Sequence, residues 1–136
     1  MKHIFVLVVA CLWSAWVIGQ EKEVEGYEIR GILEGKYKAN KVYLVEEDEI
    51  QGPSRVIDSS EVVNNRYTFK GPKVDRVKMY FIKSGDPDCL SPITPFFLEN
   101  GVINIRSNSE FFLNAEAKGT ITNDIFGFYN ALIKHL

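Results

Sequence analysis

Apolar and polar residues alternate with a period of two along most of this chain, and from Thr122 onward the period lengthens to that of a helix. In Val24–Leu33, Tyr27, Ile29 and Gly31 fall on one face and Glu28, Arg30 and Ile32 on the other, which predicts a half-buried first strand. Gly35–Asn40 reads as a turn. Lys41–Glu46 is a second strand rich in the β-formers Val and Tyr. Arg55–Val63 is a third, Asn64-Asn65 a two-residue turn that tolerates φ > 0, and Arg66–Lys70 the returning fourth strand, ended by Gly71-Pro72. Val77–Ile82 is apolar enough for a central position.

The strongest local signal is Phe96–Ile105, two apolar runs separated by Glu99-Asn100-Gly101, which predicts a tight Asn-Gly hairpin. Short strands are expected at Glu110–Leu113 and Ala115–Gly119. Turn signals this frequent predict an all-β fold, an antiparallel β-sandwich or open barrel of about eight short strands. Ile121, Ile125, Phe128, Tyr129, Leu132, Ile133 and Leu136 then mark one apolar face of a C-terminal amphipathic helix over residues 121–136. Thr122 or Asn123 is suited to cap its start, Asp124 to its first turn, and Lys134 and His135 to its last. That face either packs on its own sheet or meets something outside the domain.

The first nineteen residues have a different build. Lys2 precedes an apolar run from Ile4 to Ile18, and Gly19 stands before the polar Gln20–Glu23, the layout of a signal peptide cleaved after Gly19. The run is shorter than the roughly 20 residues of a spanning helix, so no permanent membrane span is expected. Val8-Val9-Ala10-Cys11 loosely matches a lipoprotein signal, but Leu12–Ile18 stays apolar where a lipidated chain turns polar, so lipidation at Cys11 is the weaker reading. The expected organisation is a signal at 1–19, a β domain at 20–120 and the helix at 121–136.

Without Lys2, 15 Lys and Arg face 18 Asp and Glu, a net charge of −3 with no basic stripe, which argues against nucleic acid as a partner. Only Cys89 remains after the signal, so no internal disulfide can form. An exported domain without disulfides suits the periplasm or outer cell envelope of a Gram-negative bacterium.

No residue set amounts to a catalytic, metal or cofactor site, and none is assigned. His3 leaves with the signal and His135 is next to last, so neither a His triad nor a His metal cluster is available. Cys89 has no Cys-x-x-Cys partner, and the negative charges of Asp86 and Asp88 oppose a thiolate, so it reads as inert. Glu46–Glu49 could suggest Ca²⁺, but four consecutive acids in an extended chain cannot all face one ion, and a solvated loop is the better reading. There is no phosphate-binding Gly-rich motif. Nothing singles out two carboxylates as a glycosidase pair. Asp58 and Glu99, acids within apolar strands, are read as outward-facing or turn-accepting groups.

An ordered series of residues carries a resemblance: Tyr27-x-Ile29-x-Gly31, Val42-Tyr43-Leu44, Ile57-Asp58-Ser59-Ser60-x-Val62, Tyr67-x-Phe69-x-Gly71, Phe96-x-Leu98-Glu99-Asn100-Gly101-x-Ile103-x-Ile105, and Lys118-Gly119-Thr120 before Asn123-Asp124. It is similar to the β-sandwich domain of unknown function that precedes the thioredoxin-like domain in exported bacterial thiol–disulfide oxidoreductases of the TlpA type. The resemblance covers residues 24–130. In that family the redox chemistry belongs to the Cys-x-x-Cys of the thioredoxin-like domain, which has no counterpart here, so it implies no enzyme activity, catalytic residue or cofactor for this chain. It implies an accessory domain that binds or positions a partner, a thioredoxin-like domain or another envelope protein, through the C-terminal helix. The alternative is an envelope β-sandwich binding glycans or peptides through exposed tyrosines, with Tyr37, Tyr43, Tyr67 and Tyr80 as candidates.

Overall fold

The computed structural model describes residues 25–47 and 53–136. The expected signal segment, Cys11 and most of the acidic loop lie outside the described residues. Among the described residues eight strands and one helix follow in order: β1 (Tyr27–Glu34), β2 (Lys41–Glu46), β3 (Arg55–Glu61), β4 (Arg66–Gly71), β5 (Lys78–Ser84), β6 (Ile93–Leu98), β7 (Gly101–Asn108), β8 (Ala115–Lys118) and α1 (Ile121–Lys134). They form two four-stranded sheets, β4-β1-β7-β8 and β3-β2-β5-β6, that do not close into a barrel. The expected β-sandwich is therefore present, with β5 inside its sheet as its apolar content requires.

The core lies between the sheets. Ile29 and Leu33 of β1, Phe69 of β4, and Ile103 and Ile105 of β7 face Val42, Leu44, Ile82, Phe96 and Leu98 of the other sheet, all essentially without solvent contact. The period of two puts them there, since every second residue of β1, β4 and β7 points inward. One neighbouring pair departs from antiparallel order: β1 runs parallel to β7, with Tyr27 opposite Gly101 and Glu34 opposite Asn108.

The two open sides of the sandwich are closed differently. On one side Asn64 and Asn65 both adopt positive φ (53° and 60°), and Val63 bridges Arg66 across them, as their type predicts. The strands they join then diverge, β3 to the edge of one sheet and β4 to the edge of the other. On the other side α1 lies against both β6 and β8. β3 is exposed along nearly its whole length, and a register shift opposite Leu44 and Val45 breaks the regularity of this edge strand.

The Asn-Gly hairpin is not formed. β6 pairs only with β5, and β7 pairs with β1 and β8, so residues 99–101 turn the chain from one sheet to the other. The reason is that Phe96, Leu98, Ile103 and Ile105 are all core residues, and strands in opposing sheets bury both sets against each other. Asn100 instead fastens a neighbouring loop, where its carboxamide accepts from Val74 N–H at 2.8 Å and donates to Val74 C=O at 2.9 Å. Gly101 alone takes positive φ, at 119°.

Glu110–Leu113 is likewise a turn rather than a strand, with one isolated bridge between Phe111 and Ser91, just before β6. Asn108 Oδ1 organises it by accepting from the amides of Glu110 and Phe111. Phe112 plugs the core from this turn, 6.0 Å from the Tyr37 ring, and its carbonyl accepts from Thr94 Oγ1 at 2.6 Å.

Candidate docking surface

Helix α1 is fixed by polar contacts at its start rather than by its apolar stripe. Thr120 is the N-cap residue, but its side chain makes no capping bond. The free amides of the first turn are met instead by Glu99, at the end of β6. Its carboxylate accepts from Thr122 N and Thr122 Oγ1, each at 2.8 Å, and from Asn123 N at 3.4 Å. Partial burial pushes the Glu99 carboxyl up, but bonds from the Thr120 and Thr122 hydroxyls and from the Thr122 and Asn123 amides outweigh it and hold the group below the usual carboxylate range. Asp124 closes the turn by accepting from Gly119 N at 2.9 Å.

Asn123 carries the second half of the anchor. Its side chain is buried, and the carboxamide lies on the free edge of β6, accepting from Phe97 N at 2.9 Å and donating to Phe97 O at 2.8 Å. The two backbone groups that an edge strand leaves open are thus taken up by one side chain that mimics a further strand. One turn on, Phe126 meets Phe97 edge to face at 5.3 Å, and Gly127 lies near the Ala117 carbonyl of β8.

Asn123, Phe126 and Gly127 therefore form the inward side of α1. At 100° per residue, Ile121, Ile125, Phe128 and Leu132 lie on the opposite side. Their exposures decide the matter: 77 %, 64 %, 68 % and 52 %. Tyr129, Ile133 and Leu136 add to the exposed apolar surface. Of the two possibilities open in the sequence, packing of this stripe on its own sheet does not occur, because the helix meets β6 and β8 with its inward side.

The other candidate residues take structural places. Asp58 sits on the exposed β3 edge and accepts from the Ser59 amide. Cys89 is a free, half-buried thiol whose Sγ donates to the Glu110 carbonyl at 3.2 Å, tying together the loops around residues 89 and 110. Tyr67 is buried; the Tyr37 hydroxyl donates to Lys41 O and accepts from Gly85 N; the Tyr80 hydroxyl donates to Glu46. Tyr43 is half-buried on β2. The structure brings none of these together as a site. Among the described residues no three His, Cys, Asp or Glu side chains are grouped to hold a metal ion, and no helix is long and apolar enough to cross a membrane.

Neither the Glu99 cap nor the Asn123 clasp follows from local patterns, because each links residues more than twenty positions apart. Outside α1, the outer face of the β4-β1-β7-β8 sheet carries Arg30, Arg66, Arg106 and Lys118 around a shallow depression, with Arg30, Arg106 and Lys118 each paired to a glutamate.

The sequence profile described as Domain of unknown function (DUF4369) matches residues 27–126, from the first residue of β1 into α1. The chain belongs to this family. The DUF4369 match thus spans all eight strands and the anchoring turn of α1, bearing out the expectation of a domain of unknown function. No curated protein and no solved structure matches the chain.

Proposed function

We propose that this DUF4369 protein is a non-enzymatic docking module of the bacterial cell envelope, exported by its N-terminal segment and related to the region that precedes the thioredoxin-like domain in TlpA-type oxidoreductases. The observation that carries the reading is the orientation of α1. Six large apolar side chains of one helix, and Leu136 just after it, are exposed while the helix itself is pinned through Glu99, Asn123 and Phe126. An apolar patch of this kind is a common mark of an interaction surface. Rigid pinning keeps its entropic cost of presentation low.

The test is a photo-reactive amino acid placed at Phe128 in the native host, with Thr68, exposed on β4, as control. The reading expects a cross-linked protein adduct at position 128 and none at 68. Equal labelling at both positions, or none at either, overturns it. Export is tested separately by intact mass: the form isolated from the envelope fraction should begin at Gln20, and a chain retaining residues 1–19 in the cytoplasm overturns that part.

The alternative of a sandwich that binds glycans through exposed tyrosines has less support, since Tyr67 is buried and the hydroxyls of Tyr37 and Tyr80 are engaged within the protein.

A further inference from the structure

We infer that the occupant of the exposed α1 face is the same face of a second copy of this chain, so that the domain forms a two-fold dimer through paired helices. This rests on the docking reading above and names its partner. Three observations lead to it.

The first is spacing. Ile121, Ile125, Phe128 and Leu132 recur at intervals of four, three and four, a seam with which one helix can pack against another, and Tyr129, Ile133 and Leu136 widen it on one side. The period is that of the helix itself, and a second helix carrying the same seam can interdigitate with it. The chain itself supplies such a helix.

The second is charge. The seam contains no charged residue, and Asp124, at its margin, already accepts from the Gly119 amide. A strongly charged partner would therefore find nothing complementary. With two copies antiparallel about a point between Phe128 and Tyr129, Ile121 meets Leu136 and Ile125 meets Leu132. Asp124 then approaches His135 of the other copy, and the two helix dipoles oppose favourably.

The third is area. The seven apolar side chains on this surface, exposed from 48 % to 106 %, amount to on the order of 700 Å² when an aromatic side chain buries roughly 150–250 Å². A standard specific interface takes about 800 Å² from each partner. The patch thus lies within the range of specific interfaces, which runs from about 600 to 1,000 Å² per partner.

Sedimentation equilibrium of the purified protein at about 100 µM tests this, since a Kd of roughly 10 µM would leave most chains paired there. The expected result is twice the chain mass. Phe128→Asp and Ile125→Asp should each return the single-chain mass, weakening pairing by roughly 1,000-fold because each change occurs on both copies, with the β-sheet circular dichroism unchanged because both positions point away from the core. A dimer that survives both substitutions overturns the inference. So does a wild-type chain that stays single at this concentration, and the adduct at position 128 then separates the two readings: cross-linking to a different protein keeps the docking surface and removes the self-pairing, while a lipid adduct or no adduct removes both.

Discussion

The ring of Tyr67 lies flat across Gly31, its direct opposite on the neighbouring strand, and leaves no room for a Cβ at that position. The relation is reciprocal. Four residues along the same strand pair, Tyr27 covers Gly71 in the same way. The repeated Tyr-x-apolar-x-Gly pattern of β1 and β4 is therefore one device used twice: each tyrosine fills the space that the partner strand's glycine leaves, at both ends of an antiparallel pair.

Gly31→Ala should therefore destabilise the domain by about 2–4 kcal/mol, because the overlap falls on a buried ring held on both sides. Thermal unfolding measures the loss. In a Tyr67→Leu background the same substitution should cost clearly less, and an undiminished cost would show that the ring is not the obstacle.

Tyr67→Phe should be neutral or stabilising by up to about 1 kcal/mol. The Tyr67 hydroxyl and the Ser107 hydroxyl are both buried, and neither has a hydrogen-bond partner of good geometry among the described residues. Burial pushes the Tyr67 phenol well above its ordinary range. Urea unfolding of the two forms would reveal the difference, and a marked loss of stability would mean that the hydroxyl is satisfied after all.

Glu99 ties stability to pH on the acid side. Its carboxyl is held below its unfolded value, so its contribution is fully present above the unfolded carboxylate range and is lost as pH falls through the folded one. Glu99→Gln should lower stability near pH 7 by about 1 kcal/mol, the usual worth of a helix cap. It should also flatten the decline in stability between neutral and acidic pH. A Gln variant whose stability falls with acid as steeply as the parent's would disprove the link.

Asn123→Ala should cost about 2–4 kcal/mol, since it strands the Phe97 amide and carbonyl in a half-buried place. Hydrogen exchange at Phe97 gives the local readout. Its amide should lose protection while that of Ile103, in the centre of the other sheet, keeps it relative to global stability.

Leu132→Gln, on the outward face of α1, should change the stability of the isolated domain by no more than about 0.5 kcal/mol, whereas Phe126→Ala, nearly two turns back and on the inward side, should cost about 1–3 kcal/mol. Chemical denaturation in dilute solution compares them. Equal losses would mean that the helix is packed the other way round.

Strand positions and the helix were legible in the sequence because the periods of two and 3.6 reflect which side of each element is buried. Asn64-Asn65 was legible as a turn because both residues do take positive φ. Asn100-Gly101 misled for an instructive reason. Turn chemistry reports that the chain reverses or bends, but not whether the strands it joins share a sheet, and here four core residues on its two sides are better buried across the sandwich than side by side. Glu110–Leu113 misled because Phe112 is apolar as a plug, not as a member of an alternating run. The exposed apolar face of α1 was visible as a stripe, yet its outward direction depends on Glu99 and Asn123, whose bonding partners are distant in sequence.

The parallel alignment of β1 with β7 sets the order in which the domain can assemble. β1 can pair with its antiparallel neighbour β4 once residue 71 is made, but its other edge has no partner until Gly101–Asn108 has emerged, about seventy residues after β1 in the chain. A nascent chain that has reached β6 would expose the unpaired side of Tyr27–Glu34 as a template for foreign strands, and holding the chain unfolded until its last third is available would spare it that hazard.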